Sequence, residues 1–80
     1  MKEQVLDAIT ALIKSNIDKD SDTRDHIKSD LGMDSLDVAE LGIGIELELG
    51  INVPDEYIEK ISAEDLTVGQ VAEYVSTLVK

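Results

Sequence analysis

The residues "LGMDSLD", Leu31 to Asp37, place one hydroxyl, Ser35, between two carboxylates, Asp34 and Asp37, just ahead of a long apolar run. A nucleophilic serine needs a base, and the base needs a group that orients it. His26 is the only histidine, and it falls in a polar stretch. The G-x-S-x-G elbow and its preceding strand are absent, so a serine hydrolase is not supported and no catalytic residue is assigned. The acids of "DKDSDTRDHIKS", Asp18 to Ser29, open like a calcium loop, with Asp18, Asp20 and Asp22 at alternate positions. The pattern then fails: Thr23 stands where a sharp turn needs glycine, and Ser29 where a bidentate glutamate belongs. No metal site is assigned; weak, nonspecific divalent binding is the most this loop supports.

Ser35 itself has two readings. From spacing alone it is an N-cap, the commonest reason for a serine at a helix start. A helix N-terminus also carries unpaired N–H groups and a partial positive charge, and so suits a phosphate ester. The neighbouring charge gives the second reading weight. The chain has a net charge of -11. Between Ser29 and Glu59 stand nine acids (Asp30, Asp34, Asp37, Glu40, Glu46, Glu48, Asp55, Glu56, Glu59) and no base. Such a surface disfavours nucleic acid, whose binding depends on Lys and Arg releasing counterions, and it disfavours an anionic membrane. It suits a partner with a basic patch.

The elements that would position Ser35 follow from periodicity. Eighty residues make a single domain, 1–80. With no cysteine and only Tyr57 and Tyr74 as aromatics, its core must be aliphatic, and no disulfide can staple it. A first helix is predicted from Lys2 to Ser15, with Val5, Ile9 and Leu12 on one face and Leu6 and Ile13 on its flank. A polar loop from Asn16 to Asp34 follows, anchored by Ile27 and Leu31. The second helix begins at Asp34 or Ser35 and ends near Leu49, with Gly50 as its stop. Leu41, Ile45 and Leu49 make one stripe, with Val38 leading into it and Ile43 and Leu47 partly off it. "VPDEYIEKI" is a short third helix, opened by Pro54, Asp55 and Glu56, and Ser62 with Asp65 is expected to cap one further turn. The last helix opens with a Thr67/Gln70 capping box and continues through Val68, Val71, Ala72, Val75, Leu78 and Val79. No alternating strand pattern competes. The fold class expected is all-α, a small four-helix bundle of three longer helices and one short one. No stretch approaches the roughly 20 apolar residues of a membrane span. Lys2, Glu3 and Asp7 make the start unlike a signal peptide. A cytoplasmic monomer is expected.

"LGMDSLD" with "VAEL" resembles the prosthetic-group site of acyl carrier proteins, a D-S-L preceded by L-G-x and followed by an acidic helix. "ELGINVPDEYIEKI" resembles the end of that family's second helix, the connection, and the short third helix, and "TVGQVAEYV" resembles its last helix. The resemblance covers nearly the whole chain and is strongest from Leu31 to Ile61. It implies a carrier rather than an enzyme. A phosphopantetheinyl transferase would move 4'-phosphopantetheine from coenzyme A onto Ser35, with Asp34 and Leu36 flanking the attachment point. The thiol of the arm would hold acyl groups as thioesters for fatty-acid or related biosynthesis. The second helix would dock acyl synthases and transferases bearing basic patches. By motif position the docking residues are Asp37, Val38, Glu40, Ile43, Glu46, Leu47 and Glu48. The acyl chain would fold back between helices that can open.

Three departures from the family pattern point to a specialised carrier. Gly42 and Gly44 sit inside the second helix, either for close packing or for a wider acyl pocket. Leu47 stands in a run that is usually acidic, and "ISAEDLTVG" is slightly longer than usual. Carriers of polyketide or aminoacyl intermediates are the nearest alternative, although "GMDSL" departs from the G-G-x-S of peptide-synthesis carriers. An unmodified acidic interaction module of the same fold is an alternative of another class, and a divalent-ion buffer is the last.

Overall fold

The computed structural model describes residues 2–79. Four helices follow in order: α1 (Lys2–Ile17), α2 (Ser35–Leu49), α3 (Asp55–Glu64) and α4 (Val68–Leu78). Among the described residues there is no strand, and a lone antiparallel bridge joins His26 to Thr67. No described helix is long and apolar enough to cross a membrane. α1 packs against both α2 and α4, and α2 also packs against α3.

The apolar spacing explains this packing. Val5, Ile9 and Ile13 of α1 are fully buried at i, i+4 and i+8, while Leu6 and Leu12 lie at the edge of the stripe. Ile13 is therefore central and Leu12 peripheral, the reverse of the order expected from spacing. α2 contributes Val38, Leu41 and Ile45, α3 Tyr57 and Ile61, and α4 Val68, Val71, Ala72 and Val75. Among the described residues no polar or charged residue is buried in the core. Tyr57 and Tyr74 stack with ring centroids 3.7 Å apart. Burial pushes the Tyr57 hydroxyl up to about 12.

The helix ends follow backbone chemistry. Gly50 closes α2 in the left-handed region, φ 66, and its N–H donates to the Glu46 carbonyl at 2.9 Å. A side chain there would be strained. Thr67 and Gln70 form the reciprocal capping box at the start of α4. One expectation fails: Ser62 caps nothing, because α3 runs through it to Glu64. Asp65 is instead the left-handed C-cap of α3, φ 51, with its N–H on the Ile61 carbonyl. Asp tolerates this conformation better than most side chains.

Asp65 also fastens the long loop, residues 18–34. Its carboxylate accepts the N–H groups of Lys28 at 2.8 Å and Ser29 at 3.1 Å, and its carbonyl accepts from His26 Nδ1 at 2.7 Å. Ile27 N–H donates to the Leu66 carbonyl, and Val68 N–H to that of Asp25. Ile27, Leu31 and Met33 then bury their side chains, so the chain enters α2 from a fixed point. The Asp65 carbonyl raises the His26 pKa, against some desolvation, and the Asp65 and Asp30 carboxylates add to the rise. The Ser29 hydroxyl leads the lowering of the Asp65 pKa; desolvation opposes it, and the backbone donors of Ser29 and Lys28 and the His26 charge add to it.

Candidate functional site

The start of α2 is capped by Asp34, not by Ser35. Asp34 is extended, φ -89 and ψ -176, and its Oδ1 accepts the Asp37 N–H at 2.9 Å. Asp37 Oδ2 accepts the Asp34 N–H in return at 3.2 Å. This reciprocal box satisfies two backbone donors and puts negative charge at the positive end of the helix. It corrects the reading of Ser35 as the cap. Ser35 is the first residue inside the helix and is exposed. Its hydroxyl, and the N–H groups of Ser35 and Leu36, have no hydrogen-bond partner among the described residues. The hydroxyl is therefore available for chemistry and stands beside two unpaired donors that favour an anion.

A cleft of about 420 Å³ opens beside Ser35 between α2 and α3. Lys28, Val38, Ala39, Ile58, Glu59, Ser62 and Ala63 line it together with Ser35. Lys28, Ile58, Ser62 and Ala63 were not among the residues expected at the site. Lys28 reaches it only because Asp65 pins its loop to the α3–α4 junction, a contact across 37 positions that no local pattern announces. Ile58 and Ser62 are one helical turn apart on α3, so their shared face could have been read from spacing. A larger cleft, about 820 Å³, lies near Tyr57, Gln70 and Tyr74 and does not include Ser35.

The residues expected at the docking face divide into three groups. Ile43 and Leu47 are exposed by 58% and 80% and share one face of α2 with exposed Glu40; Leu36, expected only as a neighbour of the attachment point, is 68% exposed on that same face. Glu48 is exposed on the neighbouring flank. Asp37 and Glu46 are half-buried and already engaged: Asp37 in the capping box, and Glu46 as acceptor of the Val53 N–H at 2.7 Å, which ties the end of α2 to the following connection. Val38 is 1% exposed and belongs to the core. Its assignment as a surface contact is corrected, because the period that buries Leu41 and Ile45 buries it too.

The two glycines of α2 both mark close packing. A β-carbon on Gly44 would stand 2.9 Å from Leu12 Cδ2 of α1, and one on Gly42 would overlap the tip of Ile58 of α3. In each case a side chain of the facing helix occupies the place a β-carbon would take. Among the described residues no group of three or more His, Cys, Asp or Glu stands ready to hold a metal ion. In the acidic loop, Asp22 and Asp25 spend carboxylate oxygens on backbone N–H groups within that loop.

Comparison with known families gives a match to the phosphopantetheine attachment site over residues 4–75, nearly the whole chain and all of the geometry above. The chain belongs to the phosphopantetheine attachment site family, carrier proteins whose prosthetic group is 4'-phosphopantetheine.

Proposed function

We propose that Ser35 bears the 4'-phosphopantetheine, that all eighty residues act as one cytoplasmic carrier domain, and that the protein ferries acyl thioesters between the enzymes of fatty-acid or related biosynthesis. The observation that carries this reading is the division of labour at α2: Asp34 does the capping, and the Ser35 hydroxyl is left free at the first helical position. A serine needed only as a cap would occupy the position that Asp34 fills.

The residues present fit the group. The N–H groups of Ser35 and Leu36 favour a phosphodiester at Ser35 Oγ, and Lys28 lines the adjoining cleft, opposed there by Glu59. In loading, Ser35 Oγ bonds to the phosphorus of coenzyme A that bears pantetheine. The P–O bond within the pyrophosphate breaks, adenosine bisphosphate leaves, and the serine proton passes to a base supplied by a phosphopantetheinyl transferase. The bound group supplies the thiol that this cysteine-free chain lacks.

Partner enzymes dock on α2 in this reading. Leu36, Ile43 and Leu47 offer the apolar contact, and Glu40 and Glu48 meet basic patches on acyl synthases and transferases. Exposed charges of this kind mainly set association rate and partner choice, which suits a carrier that must leave each enzyme. Glu46 and Asp37 contribute to the field from fixed positions. Exposed Leu47, in place of the family's usual acid, supports a specialised carrier; a polyketide or aminoacyl cargo is the alternative, and "GMDSL" counts against the aminoacyl one. The exposed apolar stripe of α2 also supports an unmodified binding module. Incubation with a transferase and a fluorescent coenzyme A analogue separates the two: a carrier labels, Ser35→Ala does not, and a binding module labels in neither form.

A further inference from the structure

The groove between α2 and α3 is interrupted part of the way along. Beside Ser35 it forms the cleft of about 420 Å³ bounded by Ala39 and Ile58. Beyond them lies a second space of about 160 Å³, lined by Gly42, Ile43, Glu46, Val53 and Asp55 and bounded again by Ala39 and Ile58. Ile58 is half-buried and projects into the notch at Gly42. A β-carbon at Gly42 would overlap Ile58 Cδ1 and lie 3.3 Å from Cγ1. Glycine in mid-helix weakens α2, and here the room it leaves is filled by one side chain from the opposite helix. The atom that reaches deepest into the notch is the Ile58 Cδ1 methyl.

Resting on the carrier reading above, we propose that Ile58, seated in the Gly42 notch, sets how far an acyl chain reaches between α2 and α3. With Ile58 in place, cargo ends in the compartment beside Ser35. The space near Val53 is closed to it, so short or compact acyl groups are sheltered and the end of a long straight chain stays outside. Ala39 forms the opposite wall and is too small to block the way. Ile58 is thus the specificity-determining residue of the groove.

The test uses the full chain, loaded and then acylated with butanoyl, octanoyl or dodecanoyl groups. Intact mass verifies each form, and amide chemical shifts are compared with the unacylated loaded protein. Wild type should show shifts at Ala39, Ser62 and Ala63 with every cargo, and none at Gly42 or Val53. In Ile58→Ala, dodecanoyl should shift Gly42 and Val53 at least as strongly as Ala39. Ile58→Val removes only the Cδ1 atom, keeps the branched side chain folded in place, and should show the same effect in smaller measure. Dodecanoyl shifts at Gly42 and Val53 in wild type equal to those in the variants would overturn this proposal alone, as would variants that behave like wild type. Failure of the wild-type chain to gain the prosthetic group would overturn the carrier reading and this proposal with it.

Discussion

Replacing Asp34 and Ser35 in turn by alanine separates the cap from the chemistry. Asp34→Ala removes the acceptor of the Asp37 N–H, a 2.9 Å bond at the first turn of α2. Loss of an N-cap costs about 1 kcal/mol, within a range of roughly 0.5–2. For a domain of this length that lowers Tm by roughly 4–8 °C. The chain carries a net charge of -11, so loss of an acid also relieves repulsion. Asp34→Asn isolates the cap, because asparagine caps about as well as aspartate and lacks the charge; it should stay near wild type. Ser35→Ala removes an exposed hydroxyl with no partner. Its effect should stay within about 0.5 kcal/mol, or roughly 3 °C. Thermal unfolding followed by circular dichroism at fixed pH and salt measures all three. If Ser35→Ala cost as much as Asp34→Ala, the hydroxyl would be structural, and the argument for a free handle at Ser35 would fail.

Other substitutions test the surrounding architecture. Gly44→Ala should gain up to about 1 kcal/mol of helix propensity and lose part of it in displacing Leu12, whose flexible tip lies 2.9 Å from the new atom; a net gain near 0.5 kcal/mol in urea unfolding is expected, with unchanged acyl preference. Leu47→Glu should leave stability within about 0.5 kcal/mol and lower kcat/KM for at least one partner enzyme, since Leu47 is 80% exposed; a large loss of stability would put it in the core. The raised pKa of His26 means that its stabilising contribution is fully present below its unfolded value of about 6.5 and fades as pH rises through the folded value. Urea midpoints of wild type and His26→Gln should therefore converge as pH rises above that point, and divergence would contradict the contact with Asp65.

Much of this architecture could be read locally, and the exceptions have physical reasons. The Thr67/Gln70 box and the Gly50 stop are short-range motifs, and both stand where their residue types require. At the start of α2, two adjacent residues could cap equally well by type. The tie is broken three positions on: Asp37 can return a bond to Asp34, whereas Val38 has no polar atom to return one to Ser35. Val38 is buried because the helical period outweighs the motif position that would put it at the surface. Ser62 looked like a cap because a serine before an acid is a common helix start, but Ile61 and the C-cap at Asp65 keep it inside α3. Lys28 at the site and Ile58 in the Gly42 notch are tertiary facts. Each depends on elements far apart in the chain, and neither has a local signature.

The central claim is that Ser35 carries the prosthetic group. The most direct measurement is the intact mass of the purified chain after incubation with coenzyme A, magnesium and a broad-specificity phosphopantetheinyl transferase, beside Ser35→Ala. Wild type should gain the mass of one phosphopantetheine, and Ser35→Ala should gain none. A folded wild-type chain that stays unmodified with more than one transferase, or a Ser35→Ala chain that gains the group, would contradict it.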